Sequence, residues 1–180
     1  MSTPSPAAGF VLAGGKSRRM GTDKALLAWN GQTLLEHMTG LLHGVCDPVQ
    51  VVGRDDLPDS VPDLGVIGGI ATALEHTTTE NNLIVAVDLP LLTHRLLKHL
   101  KESLERSDRP LVVCNIGSAY PLCLGVRRVL LGPLHAYIAS ARRSLHGFID
   151  TVTPEIIEGF GPDLFRNINT PADYEAVRKR

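Results

Sequence analysis

Short apolar runs alternate along the chain with longer amphipathic stretches, and the two periods predict strands and helices in turn. Residues 10–12 read as a first strand, 48–52 as a second, 83–87 as a third and 110–114 as a fourth, with a fifth around 121–124. The third is an unbroken apolar run of the kind buried on both faces of a parallel sheet. Between the first two, Leu34, Leu35, His37, Met38, Leu41 and Leu42 recur with helical spacing. Thr93 is placed to cap a helix carrying Leu96, Leu97, Leu100 and Leu104 on one face. A further helix is predicted across residues 128–139, and a last one after Thr170-Pro171.

Such alternation implies an open, mainly parallel α/β sheet with helices on both faces. Ligands in that architecture sit in the crevice beyond the carboxyl ends of the strands, so residues directly after strands are the ones to inspect. The length, 180 residues, suits one domain with a sizeable core, expected over residues 9–180 behind a loose tail of residues 1–8. That tail has neither the basic nor the apolar region of a signal peptide. No apolar stretch is long enough to span a bilayer.

Charge changes the picture little. With 18 basic and 19 acidic residues the net charge is −1, which gives no general attraction to nucleic acid or to a membrane. Cys46, Cys114 and Cys123 fit neither a disulfide framework nor a zinc ligand set. Cys114 and Cys123, in apolar runs, read as buried thiols, and a reducing, cytoplasmic setting is expected.

Candidate chemistry begins after the first strand, where Gly14 and Gly15 are followed by Lys16, Arg18, Arg19 and Lys24. Paired glycines let backbone N–H groups approach an anion, and four clustered cations suit a polyphosphate. A solvated basic turn is the competing reading, weakened by the position directly after a buried strand. Gly15-Lys16-Ser17 imitates the end of a P-loop, but Phe10 stands where that motif needs its first glycine. A second candidate, Asp88, follows the third strand. One carboxylate there could hold Mg²⁺, whose remaining ligands are commonly water and phosphate oxygens. The alternative is a turn aspartate before Pro90.

The residues Leu12-Ala13-Gly14-Gly15, Ser17 to Gly21 and Asp23-Lys24 resemble the signature loop of the molybdenum cofactor guanylyltransferase (MobA-like) family. The resemblance implies a three-layer, Rossmann-like nucleotide-diphospho-sugar transferase fold. It implies that Leu12, Ala13, Gly14 and Gly15 embrace the nucleotide, that Arg19 and Lys24 hold the triphosphate, and that Asp88 is the Mg²⁺ aspartate. Asp63, before the glycines at 65, 68 and 69, resembles the aspartate that reads guanine, although Val66 and Gly68 depart from the family's Gly-Pro-Leu-Ala-Gly. After the second strand, Gly53-Arg54 replaces an asparagine that touches the nucleotide in the family. Asn167 and Asn169 match its closing Asn-x-Asn-Thr-Pro, where the resemblance implies that their amides reach the acceptor substrate or the metal's water shell beside the helix cap at Thr170, and Arg142 resembles a cation on the acceptor side.

The activity so implied is transfer of GMP from GTP to the phosphate of Mo-molybdopterin, with transient contact with other molybdenum cofactor proteins. Two alternatives stay open. One is a cytidylyl- or sugar-phosphate nucleotidyltransferase; the other is a non-catalytic nucleotide-binding adaptor.

Overall fold

The computed structural model describes residues 6–14, 22–54, 57–61 and 63–179. A central six-stranded sheet has the order β4 (Val49–Val52), β1 (Ala7–Leu12), β5 (Asn81–Ala86), β7 (Cys123–Arg127), β6 (Leu111–Cys114) and β8 (Glu155–Ile157). β1 pairs in parallel with β4 and β5, and β6 with β8, while β7 runs against both its neighbours. Five strands therefore point one way and one is reversed. This is the mainly parallel sheet that the alternation predicts.

The strands alternate their side chains between two cores, as a period of two requires. Ala7, Val11, Leu83 and Val85 face one layer, formed by α1 (Leu34–His43), α3 (His94–Arg106) and α6 (Pro171–Arg178). Ala8, Phe10 and Ile84 face the other, formed by α2 (Gly65–His76), α4 (Leu131–Ala139) and α5 (Leu145–Val152). The predicted stripe on α3 is fully buried: Leu96, Leu97, Leu100 and Leu104 are all 0% exposed. Burying a leucine side chain is worth about 1.5–3 kcal/mol, so this stripe fixes α3 on the sheet. Among the described residues no helix is long and apolar enough to cross a membrane.

Several boundaries differ from expectation for identifiable reasons. β1 begins at Ala7, so Ala7 and Ala8 are buried strand residues rather than tail. Their backbone is engaged, Ala7 O accepting from Asp47 N and Ala8 N donating to Thr79 Oγ1. β7 starts at Cys123, because residues 121–123 close a turn in which Cys123 N donates to Pro121 O. The short hairpin of β2 (Ala28–Trp29) and β3 (Gln32–Thr33) had a signal in Asn30-Gly31, whose two positive φ angles suit a primed turn. α5 and the three-residue β8 carry weak local patterns and are defined by packing against the sheet edge.

Helix caps follow side-chain chemistry closely. Thr93 Oγ1 accepts from Leu96 N at the start of α3. Thr170 begins α6 with a full capping box: its hydroxyl accepts from Asp173 N, and Asp173 Oδ2 accepts from Thr170 N. Thr170→Ala is expected to cost about 1 kcal/mol, lowering Tm by about 2–4 °C in a circular-dichroism melt. An unchanged melt would show that Asp173 holds the helix start alone.

Candidate functional site

The carboxyl ends of β1, β4 and β5 open into a cavity of about 1070 Å³. Leu12, Ala13 and Gly14 line it from β1, Val52 from β4, and Val87 and Asp88 from β5. The first turn of α2 supplies Gly65, Val66 and Gly69. That helix starts at Leu64 with no side-chain cap. Its opening N–H groups, at the cavity's edge, have no side-chain cap, and uncapped helix starts favour an anion.

Lys24 and Asp88 meet at the floor. Asp23 Oδ1 accepts from Ala25 N and caps the short 3-10 turn Lys24–Leu26. From this turn Lys24 Nζ donates to Asp88 Oδ2 at 3.1 Å and to Asn169 Oδ1 at 2.6 Å. Both members of the ion pair are largely shielded, their side chains 17% and 21% exposed. Asp88 is also tied through its backbone, its carbonyl accepting from Ile168 N at 3.0 Å. Ile168 is itself fully buried, and Asn169 N donates to Asp173 Oδ2 at 3.0 Å. The Asn-x-Asn segment is thus sewn between the end of β5 and the cap of α6. Hydrogen bonds from Thr170 and from the Asn169 and Thr170 backbone hold the Asp173 carboxyl below its ordinary range.

The two asparagines divide their roles. Asn169 positions Lys24, whereas Asn167 is exposed and lines the cavity. Arg142 is not among the cavity-lining residues. It sits after α4 with its guanidinium 5.5 Å from the Tyr137 ring centroid. Gly15 and Arg19 lie outside the described residues.

Asp63 lines the cavity from an exposed position with φ +64°. A second aspartate, not anticipated from the sequence, lies deeper. Asp59 Oδ2 is 3.1 Å from the place a Cβ on Gly14 would occupy, and its Oδ1 is 3.7 Å from the corresponding place on Gly69. Burial raises its carboxyl above the ordinary aspartate value. Its neighbour Ser60 donates from its backbone to Thr72 Oγ1 and from its hydroxyl to Glu75 Oε2, fastening the segment to α2. The available signal was an acidic residue directly ahead of Ser60, but the choice between Asp59 and Asp63 depends on how this loop folds over α2.

Gly53, just past β4, packs against Gly14. A Cβ on Gly53 would lie 2.3 Å from Gly14 Cα, and Gly53 has φ +83°. Arg54 instead pairs with Asp23, Nη1 to Oδ2 at 2.5 Å and Nη2 to Oδ1 at 2.6 Å. Hydrogen bonding by Arg54 is the chief reason the Asp23 carboxyl is held below its usual range. Cys46, Cys114 and Cys123 are free and buried, and burial pushes the Cys46 thiol up to about 12. None lines the cavity. A thiol so raised is protonated and a poor nucleophile at neutral pH.

Comparison with known proteins bears on family and fold. A family model described as the MobA-like NTP transferase domain matches residues 9–152. A probable molybdenum cofactor guanylyltransferase of Carboxydothermus hydrogenoformans is 34% identical over 186 residues, covering 94% of this chain and 93% of that protein. One of the same description from Chloroflexus aggregans is 32% identical over 192 residues, covering 94% and 92%. The crystal structure of molybdopterin-guanine dinucleotide biosynthesis protein A from Archaeoglobus fulgidus superposes with a TM-score of 0.81 over 96% of this chain and 97% of that one, at 21% identity. That likeness is one of fold.

The contact between Gly14 and Gly53 leads to a direct test. Gly53→Ala is expected to destabilise the fold by more than the roughly 1–2 kcal/mol cost of a left-handed alanine, read as a lower Tm, since its methyl also strikes the Gly14 backbone. Stabilisation by added nucleoside triphosphate should shrink with it. A variant as stable and as responsive as the parent would mean that the two loops separate without cost.

Proposed function

The chain belongs to the MobA-like NTP transferase family, a family of nucleotidyltransferases, and we propose that it is a molybdenum cofactor guanylyltransferase. In this reading it transfers GMP from GTP to the terminal phosphate of Mo-molybdopterin, releasing pyrophosphate. The observation that carries the proposal is the junction of Lys24 with Asp88 and Asn169 at the floor of a cavity beyond β1 and β5. It sets one cation and one carboxylate where the phosphates of a nucleotide seated on α2 would lie.

An oxygen of the acceptor phosphate attacks the α-phosphorus of GTP. The bond from that phosphorus to the bridging oxygen breaks, and its electron pair leaves on pyrophosphate. Such a transfer calls for alignment and charge stabilisation rather than a covalent enzyme intermediate. The backbone at Ala13, Gly14 and Gly15 cradles the nucleotide. The Lys24 ammonium, with Arg19, donates to the phosphate oxygens as negative charge shifts towards the leaving group. Asn169 keeps the Lys24 amine aimed at the cavity floor. Asn167, on the cavity wall, is available to an acceptor phosphate.

Asp88 suits Mg²⁺, because a hard cation of this kind is held by one or two carboxylates with water and phosphate completing its shell. Among the described residues no group of three His, Cys, Asp or Glu side chains could hold a metal by itself. Binding together with the triphosphate is therefore the mode that fits these residues. When bound, the metal supplies neutralisation of phosphate charge. Asp59 is a better guanine acceptor than the exposed Asp63, because it is partly buried beside Gly14 and Gly69. A shielded carboxylate selects a base edge bearing donors, such as guanine N1–H and its exocyclic amine. The buried thiols and the near-neutral net charge fit a cytoplasmic enzyme that passes its product to other molybdenum cofactor proteins.

Thermal stabilisation by GTP, ATP, CTP and UTP, each with and without Mg²⁺, tests the substrate. The largest shift is expected with GTP and Mg²⁺; a larger one with CTP would move the donor base. Lys24→Ala is expected to reduce transfer on the order of 10²- to 10³-fold, as loss of a transition-state donor does, with the fold intact by circular dichroism. Full activity in that variant would remove Lys24 from the chemistry.

Asp59→Asn should weaken GTP binding by about 1.5–3 kcal/mol, the worth of a hydrogen bond to a charged group, and more than Asp63→Asn does. Because burial raises the Asp59 carboxyl, it takes up its proton at a higher pH than an ordinary aspartate. GTP affinity should accordingly fall early on acidification, and Asp59→Asn should flatten that dependence. Equal profiles in parent and variant would move base reading away from Asp59.

A further inference from the structure

We propose that Arg54 is a positioning residue that, through Asp23, sets the place of Lys24. The inference rests on the assignment of Lys24 to the triphosphate, but its geometry stands on separate contacts. Gly14 and Asp23 flank the glycine- and arginine-rich stretch, and both are held by consecutive residues at the end of β4. Gly14 packs against Gly53, while the Asp23 carboxylate receives both terminal nitrogens of Arg54. The anchor is firm, because Gly53 N donates to Leu57 O at 2.8 Å and Leu57 N to Arg54 O at 3.0 Å, and Leu57 is buried.

The load passes from Arg54 to Lys24 through one carboxylate. Asp23 Oδ1 accepts from Arg54 Nη2 and also from Ala25 N, so the oxygen that meets the guanidinium also caps the turn bearing Lys24. Two parallel N–H···O bonds fix the carboxylate plane, which a lysine at position 54 could not do. The turn is thereby oriented, and the Lys24 amine reaches Asp88 and Asn169.

The test combines a double-mutant cycle with chemical labelling. Arg54→Ala is expected to lower kcat for GMP transfer on the order of tenfold, within the range reported for sub-ångström to ångström misplacement, with the KM for GTP changed less than about twofold. Asp23→Asn, which keeps a cap acceptor, should show a smaller loss of the same kind, and the double variant should be no worse than Arg54→Ala alone. Acetylation of Lys24 by dilute acetic anhydride, followed by peptide mass spectrometry, should accelerate several-fold in Arg54→Ala. The exposed Lys98 provides the internal reference. Arg54→Lys should resemble Arg54→Ala in this labelling.

Losses that multiply in the double variant, or a raised KM with kcat intact, would overturn the latch and make Arg54 a direct nucleotide contact. Unchanged labelling of Lys24 would overturn it as well. If the parent protein turns over no GTP, the guanylyltransferase reading falls, while the labelling still decides whether Arg54 positions Lys24.

Discussion

A lysine ammonium held between a carboxylate and an amide oxygen is the contact on which the functional end of this molecule depends. Lys24 lies 64 residues from Asp88 and 145 from Asn169. A cation this far shielded from water is tolerable only with such partners, since desolvating it alone is costly. The junction forms once β1, β5 and the start of α6 are all in place. Its integrity therefore reports on the whole sheet rather than on one loop. The same shielding strengthens the field that Lys24 and Asp88 present to a phosphate.

Around that junction the fold leaves space by a specific device. α2 approaches the end of β1 over the buried Gly69, which lies beside Leu12. The helix start thus comes near the end of β1 while a cavity remains between them. Gly14 and Gly53 make the equivalent close approach between β1 and β4. A side chain on Gly53 would strike the Gly14 backbone, so the absence of one lets the two strand ends come this close. The reversed β7 completes the sheet on the other side of β5 and brings Leu122 to the cavity wall.

Much of this was legible in local patterns. The buried strands announce themselves as unbroken apolar runs, and the α3 stripe as leucines at helical spacing. Thr93 and Thr170 mark helix starts because their hydroxyls satisfy N–H groups that no helix can satisfy internally. Asp88 is conspicuous for lying just past a strand buried on both faces. Elements held mainly by packing are a different case. β8 has three residues and α5 has eight, too few for a period to stand out, and the β2–β3 hairpin shows only its Asn-Gly turn.

The sequence by itself determined the strand–helix order and the helix caps, because each is encoded in residues a few positions apart, and it marked the glycine- and cation-rich stretch after β1 as the candidate site. Tertiary structure decided how distant side chains divide the work. It set Asp59 deeper than Asp63, gave Asn169 to Lys24 and left Asn167 on the cavity wall. It also turned Arg54 onto Asp23 and laid Arg142 over Tyr137. Side chains at these positions have several partners in reach of their type, and nothing in their immediate sequence ranks them. The choice falls to the paths of loops around α2, β4 and β5, which are fixed only when the two cores close on the sheet.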